Sequence, residues 1–173
     1  MIRAFFICFL LFFVYKNIKR SEVVSIQTIQ IESSDLGTID SLLNFMGKIG
    51  MENTVVVLAQ SYLETGHFTS KIYRTNKNCF GIKYRKGSLY AKGERLGHAY
   101  YDNELDSFYD YLDWQKRSLK GAKLTDTQYL QHLRDPWGYG CGYAEDPLYV
   151  DKLIDIINKI NRVRTAARSA NGL

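Results

Sequence analysis

The chain has 173 residues, of which 46% are hydrophobic and 24% charged, and it carries a formal net charge of +5. That suits one domain with a real core and a short appendage, and it excludes a chain too polar to collapse. Three cysteines exclude a disulfide-dense scaffold or a four-cysteine zinc site, and two prolines with thirteen glycines exclude collagen-like or linker-like sequence. Thirteen tyrosines and nine phenylalanines are a heavy aromatic load, suited to a core or to a groove that takes sugar rings or bases.

In chain order, Met1-Ile2-Arg3 precedes an unbroken apolar run from Ala4 to Tyr15, followed by Lys16, Lys19 and Arg20. A basic start before a short apolar run is the pattern of a secretory signal. No small-x-small cleavage site follows it, and the run is shorter than the roughly 20 residues of a relaxed spanning helix. Residues 1–20 are therefore expected to be a signal peptide or an uncleaved signal anchor, its flanking cations reaching back to the interface. A buried helix of a cytosolic protein fits poorly, since every face is apolar and both ends are basic. Cys8 has no lipobox-like small residue before it, so lipidation is not indicated.

Residues 21–37 read as a linker and 38–163 as the folded domain. Ile39, Leu42, Leu43, Met46 and Ile49 follow helical spacing, with Thr38 or Asp35 as the N-cap and Gly50 as the stop. Val55, Val56, Leu58, Ala59, Tyr62 and Leu63 predict a second helix, apolar nearly all round and hence buried, ending at Thr65-Gly66 where glycine takes the left-handed position.

From Lys71 to Arg95 eight cations face Glu94 alone, and glycines at 81, 87, 93 and 97 interrupt any helix. An irregular basic β lobe is expected there, with Leu89-Tyr90-Ala91 as a short strand. Helices resume from about Asn103 to Ser118 and, behind the capping box Thr125-Asp126-Thr127-Gln128, through Leu133. A glycine-rich loop, Asp135 to Gly142, leads to a last helix capped by Asp146 with Pro147 at its first position. Tyr149, Leu153, Ile156, Ile157 and Ile160 line one face of that helix, and residues 164–173 are expected to be a frayed tail.

The expected fold class is thus α+β, mainly α. Glu64 stands out among the carboxylates, because it occupies the final turn of an apolar helix. The helix dipole and the apolar surroundings both push a carboxyl pKa upward, as a general acid near neutral pH requires. On these grounds alone a solvated glutamate at a frayed helix end fits equally well.

Ala59-Gln60-Ser61-Tyr62-Leu63-Glu64-Thr65-Gly66, followed by Asn78-Cys79-Phe80-Gly81-Ile82-Lys83, resembles the AQ-x-x-LE[ST]G and N-x-FGIK signature of bacterial glucosaminidases. These are the family-73 glycoside hydrolases, the autolysins and flagellar wall hydrolases that act on peptidoglycan. Gly97-His98-Ala99-Tyr100-Tyr101 leading into Ser107-Phe108-x-Asp110-Tyr111, and Tyr143-Ala144-x-Asp146-Pro147-x-Tyr149, complete the order across about Ile39 to Ile160. The resemblance implies a lysozyme-like fold, a helical body with a β lobe beside a long sugar-binding cleft. It also implies cleavage of the β-1,4 bond after N-acetylglucosamine, with Glu64 as the general acid and Tyr143 as the cleft tyrosine near the cleavage point.

Asn78, Phe80 and Gly81 match the block that packs behind the glutamate. Phe80 reads as mostly structural and Asn78 as either packing or contact. Both join Tyr84, Trp137 and Tyr139 as the substrate-binding candidates, with core packing as the alternative for each aromatic, Tyr90 included. Inverting hydrolysis needs a second carboxylate roughly 6.5–9.5 Å away. In the resembled family it comes from the β lobe, where Glu94 is the only acid between Lys71 and Arg95. A hairpin-tip charge with no role, or assistance from the substrate's own acetamido group, stands beside that reading. Asp102 and Glu104 read as helix-start partners and Asp146 as a cap.

His67, His98 and His132 lack metal-ligand spacing, so no metal and no cofactor is expected. Cys79 and Cys141 lie in blocks that the family packs around the site and can pair in an oxidising compartment. The partner expected is the glycan strand of peptidoglycan, for a secreted or membrane-tethered monomer, the basic lobe being attracted to an anionic wall. Nucleic acid would suit cations interleaved with rings, but the exported N-terminus argues against it. A muramidase or lytic transglycosylase on the same fold, and a wall-binding protein without turnover, are the other readings.

Overall fold

The computed structural model describes residues 36–135 and 142–170. The apolar run at 4–15, with the expected signal or anchor, and the linker up to residue 35 lie outside the described residues. Among those described, no helix is long and apolar enough to cross a membrane.

Helix α1 spans Leu36–Lys48 and α2 Thr54–Glu64. Ile39, Leu42, Leu43 and Met46 recur at i, i+3, i+4 and i+7 and are all buried, so α1 has one apolar stripe. In α2 every residue from Val56 to Tyr62 is buried, including the polar Gln60 and Ser61. Gly66 takes the left-handed conformation just past α2, with φ of 54°, as its lack of a Cβ allows.

The next helix, α3 over Lys71–Asn76, corrects the expectation of an irregular lobe starting at Lys71. Six residues are too few to show a period. The Ser70 side chain accepts from the Tyr73 amide, and Tyr73 and Asn76 are buried, so a cap and two anchors make the turn.

The sheet is one antiparallel hairpin, β1 over Gly93–Arg95 and β2 over His98–Tyr100, with Arg95 opposite His98. Leu96 and Gly97 between them both have positive φ, 54° and 70°, the signature of a two-residue turn matched to strand twist. The strand expected at Leu89-Tyr90-Ala91 does not form. The Ser88 hydroxyl instead accepts from the Tyr90 and Ala91 amides and donates to Asp110, which bends the chain and leaves Leu89 exposed.

Helix α4 spans Glu104–Leu119, capped by Asn103 on the Asp106 amide, and α5 spans Asp126–His132 behind the Thr125–Gln128 capping box. Helix α6 covers Tyr149–Ala170. The expected fraying from Arg164 is corrected, because Arg164 Nε lies 2.8 Å from Asp40 Oδ1 and pins this end to α1. Helix α2 is the hub, packing against α6, α1 and α5.

Three of the lobe's eight cations are answered from outside it: Lys77 pairs with Glu104, Arg85 with Asp113 and Lys92 with Asp102. The local excess of cations in sequence therefore overstates the basic patch.

The hairpin is fastened to the body by two buried asparagines. Asn76 Nδ2 donates to the carbonyls of Arg95 and Ala99. Asn78 Nδ2 donates to the carbonyls of Ile82 and Ala99, while its Oδ1 accepts from the Phe80 and Ile82 amides. Removing such a side chain strands several buried main-chain groups. Asn78→Ala should therefore cost roughly 3 kcal/mol in denaturant unfolding, with Asn78→Asp intermediate because it keeps both acceptor bonds.

Candidate active site

The last residue of α2 is Glu64, and Tyr149, first of α6, meets it from across the interface. The Tyr149 hydroxyl donates to Glu64 Oε1 at 2.9 Å. On the other side lies Gly81, with φ of +63°, where a Cβ would sit 2.9 Å from Glu64 Oε2. Only a residue without a side chain permits so close an approach of the main chain. The Tyr143 ring stacks on Tyr149 at 5.9 Å and meets Trp114 edge-on at 5.0 Å. Its hydroxyl donates to the Phe80 carbonyl at 2.9 Å, so Tyr143 holds the strip that carries Gly81.

Burial among these rings raises the Glu64 pKa above the ordinary carboxyl value, and the Tyr149 hydrogen bond works against that rise. The cause is desolvation of the charged form, relieved in part by a donor to it. Burial also raises the Tyr143 and Tyr149 hydroxyls well above the usual phenol range, and the nearby Glu64 charge adds to the effect. Both therefore stay protonated as donors.

Of the residues singled out in sequence, the structure brings together Glu64, Tyr143 and the backbone of Phe80. It removes two side chains from the substrate-binding candidates, Phe80 in keeping with its mostly structural reading. Asn78 is 1% exposed with all four hydrogen-bonding positions taken by main chain, so it is a clasp and presents nothing to a ligand. The Phe80 ring is buried, stacked on Tyr111 at 4.2 Å and edge-on to Phe108, and belongs to the core. Tyr84 is exposed on the lobe. Glu94 is exposed in the middle of β1, opposite Ala99, and is not joined to Glu64. Trp137, Tyr139 and Cys141 lie outside the described residues. Cys79 is a buried free thiol, its pKa pushed up by burial. Among the described residues, no group of three or more His, Cys, Asp or Glu is arranged to hold a metal.

Sequence reasoning named Tyr149 and Gln60 as members of motif blocks and gave neither a role in the site. A glutamine four residues before Glu64, on the same face of an otherwise apolar helix, was the available signal, because a buried amide needs partners.

The family model of glucosaminidases, described as mannosyl-glycoprotein endo-β-N-acetylglucosaminidase, matches residues 40–162. The chain belongs to the glucosaminidase family. It is a glycoside hydrolase, mainly helical with a small two-stranded sheet, in the lysozyme-like α+β class. Among solved structures, this glucosaminidase is similar to the catalytic domain of the autolysin Auto from Listeria monocytogenes. The two are 22% identical with a TM-score of 0.52, over 87% of this chain and 94% of that one. At that identity the likeness speaks to the fold alone. No curated protein matches the chain.

Two outcomes follow from the packing around Glu64. Between the ordinary carboxyl pKa and the raised folded value the folded state holds the extra proton, so stability falls as pH rises through that window. Glu64→Gln should accordingly melt above the parent at about pH 7, with the gap closing by about pH 4, in thermal scans. Gly81→Ala adds left-handed strain of about 1 kcal/mol and drives a methyl against Oε2. More than tenfold of the rate should be lost with only a modest drop in melting temperature.

Proposed function

We propose that the chain hydrolyses the β-1,4 bond after N-acetylglucosamine in peptidoglycan, with Glu64 as general acid. The observation that carries this is the Glu64 carboxyl itself: largely desolvated, held on one oxygen by Tyr149, and bounded on the other by a glycine. A carboxyl kept protonated by burial can give its proton to the glycosidic oxygen as the bond breaks. Burial desolvates the inner side, and Gly81 brings main chain close to Oε2 with no side chain against it. Tyr143 supports the site by its bond to Phe80 O and its stack on Tyr149, a positioning part. Tyr84 on the lobe, with Trp137 and Tyr139, is proposed to stack on sugar rings.

Glu94 is the proposed water-activating base, supported by its place on the lobe as that segment's one acid. Export through residues 1–20, by a signal or a retained anchor, puts the enzyme on the side of the membrane where its substrate lies. The structural relative is an autolysin, and a wall substrate here agrees with it.

The test is digestion of purified peptidoglycan by the domain from residue 22, with borohydride reduction and mass spectrometry of the products. New reducing N-acetylglucosamine ends are expected, and Glu64→Gln should lower their rate by about 10²–10⁴-fold. Reducing or anhydro muramic ends would make the enzyme a muramidase or transglycosylase instead. Full activity in Glu94→Gln would transfer the second step to the substrate's acetamido group.

A further inference from the structure

Beneath Glu64 a line of buried polar groups crosses the core. Gln115 Nε2 donates to Tyr129 Oη at 3.1 Å, and Tyr129 and Tyr111 share a hydrogen bond at 2.8 Å. The Tyr111 hydroxyl donates to Gln60 Oε1, and Gln60 Nε2 donates to the Tyr149 hydroxyl at 3.2 Å. Tyr149 then donates to Glu64 Oε1. Gln60, Tyr111, Tyr129 and Gln115 are each no more than 1% exposed, so the line is shielded from bulk solvent.

The direction of the line is set at its far end. Gln115 Oε1 accepts from the Glu52 amide at 3.0 Å, and Gln115 Nε2 donates to the Glu52 carbonyl at 2.9 Å. A main-chain N–H and C=O cannot exchange places, so the Gln115 amide cannot flip and its second N–H must point to Tyr129. Tyr129, which accepts there, has a single proton, and that goes to Tyr111. Tyr111 in turn can only donate to Gln60, which turns the oxygen of Gln60 inward and its nitrogen toward Tyr149. With that nitrogen donating to it, Tyr149 has one proton left, for Glu64.

We infer that this one-way relay, anchored on the Glu52 backbone, fixes Tyr149 as a donor to Oε1 and thereby keeps the reacting proton of Glu64 on Oε2, beside Gly81. The inference rests on Glu64 being the acid. Were the relay reversed, the protonated carboxyl would donate to Tyr149, and its proton would point into the core, away from substrate. In the observed sense, Oε1 accepts before and after transfer. As the Oε2–H bond breaks and its proton passes to the glycosidic oxygen, the electron pair stays on the carboxylate, whose charge meets a hydroxyl already aimed at it. Nothing has to reorient at the moment of reaction. Tyr149 is a positioning residue, and each upstream bond polarises the next.

The titratable groups against Glu64 are Tyr149 of α6 and Tyr143 of the segment before it. The strip from Lys77 to Ile82 brings the uncharged Gly81, α2 itself brings Gln60, and no charge of α1, α4 or α5 bears on Glu64 among the described residues. A change in its titration therefore reports the relay.

The experiment is carbon-13 NMR titration of the Glu64 carboxyl, assigned with Glu64→Gln, in the parent, Tyr149→Phe, Tyr129→Phe and Gln115→Met. Melting curves and the pH dependence of kcat/KM accompany it. Losing the direct donor should raise the Glu64 pKa by about one unit, and the remote variants should raise it by a few tenths. The alkaline limb of the rate profile should move up by the same amounts. An unshifted titration in Tyr149→Phe overturns the inference. So does one unshifted in both remote variants with lowered melting temperatures, which is what mere packing would give. If Glu64→Gln still cleaves the wall, the general-acid reading falls instead, and the titration still reports on the relay.

Discussion

A single contact, the hydroxyl of Tyr149 on the carboxyl of Glu64, sets what the rest of the chain has to do. It joins the last turn of one helix to the first turn of another that begins 85 positions later, so both ends must be fixed independently. Helix α2 is fixed by burial on every side. The start of α6 is fixed by Asp146, whose carbonyl accepts from the Tyr149 amide and whose carboxylate accepts from Leu148 and Lys152. Its far end is held to α1 by Arg164 on Asp40. A slip of one residue along α6 would rotate Tyr149 by about 100° and remove the donor. The register of a long surface helix is therefore set by a need inside the site.

The same contact explains an oddity of composition. A tyrosine load of this size reads in sequence as a core or as a groove for sugar rings or bases. Yet Tyr111, Tyr129, Tyr143 and Tyr149 all turn their hydroxyls inward onto protein partners. A phenylalanine would fill the same volume but could not relay a proton's orientation. A serine or asparagine could hydrogen-bond but would forfeit most of the buried apolar area. Tyrosine meets both demands, and burial guarantees that it stays protonated and can donate. These four tyrosines are thus an internal polar device.

Legibility in the sequence followed the range of the interactions. Helices α1, α2, α4 and α6 were visible because their apolar spacing is a property of neighbours one turn apart, and the capping box of α5 is local too. Helix α3 was hidden, since six residues do not complete a pattern. The strand expected at Leu89-Tyr90-Ala91 is replaced by a bend because Ser88 reaches Asp110, a residue 22 positions away. Glu64 was legible as a carboxylate in an apolar helix. Tyr149 was not, because a tyrosine at a helix start looks like any core residue until the partner helix is in place. Asn78 was ambiguous for the same reason: its partners are main-chain groups of residues 80, 82 and 99, and no motif displays main-chain geometry.

Charge and hydrogen bonding also divide the work of holding the lobe. Three ion pairs tie it to the start and middle of α4 or to Asp102 before it, but their side chains are 20–65% exposed, and such pairs contribute at most about 1 kcal/mol each. The bonds of Asn76 and Asn78 are buried, and losing a partner there leaves main-chain groups with no water to turn to. The larger effect therefore sits with the asparagines, together with the Tyr143 bond to Phe80. These fix the strip from Asn76 to Ile82, which contains Gly81. One side of Glu64 is thus bounded by a relay of side chains and the other by a stretch of main chain, and a wall of main chain cannot rotate away from the oxygen it faces. An acid placed by helix packing alone would keep the freedom of its own side-chain torsions; confined between a fixed donor and a fixed backbone, it does not.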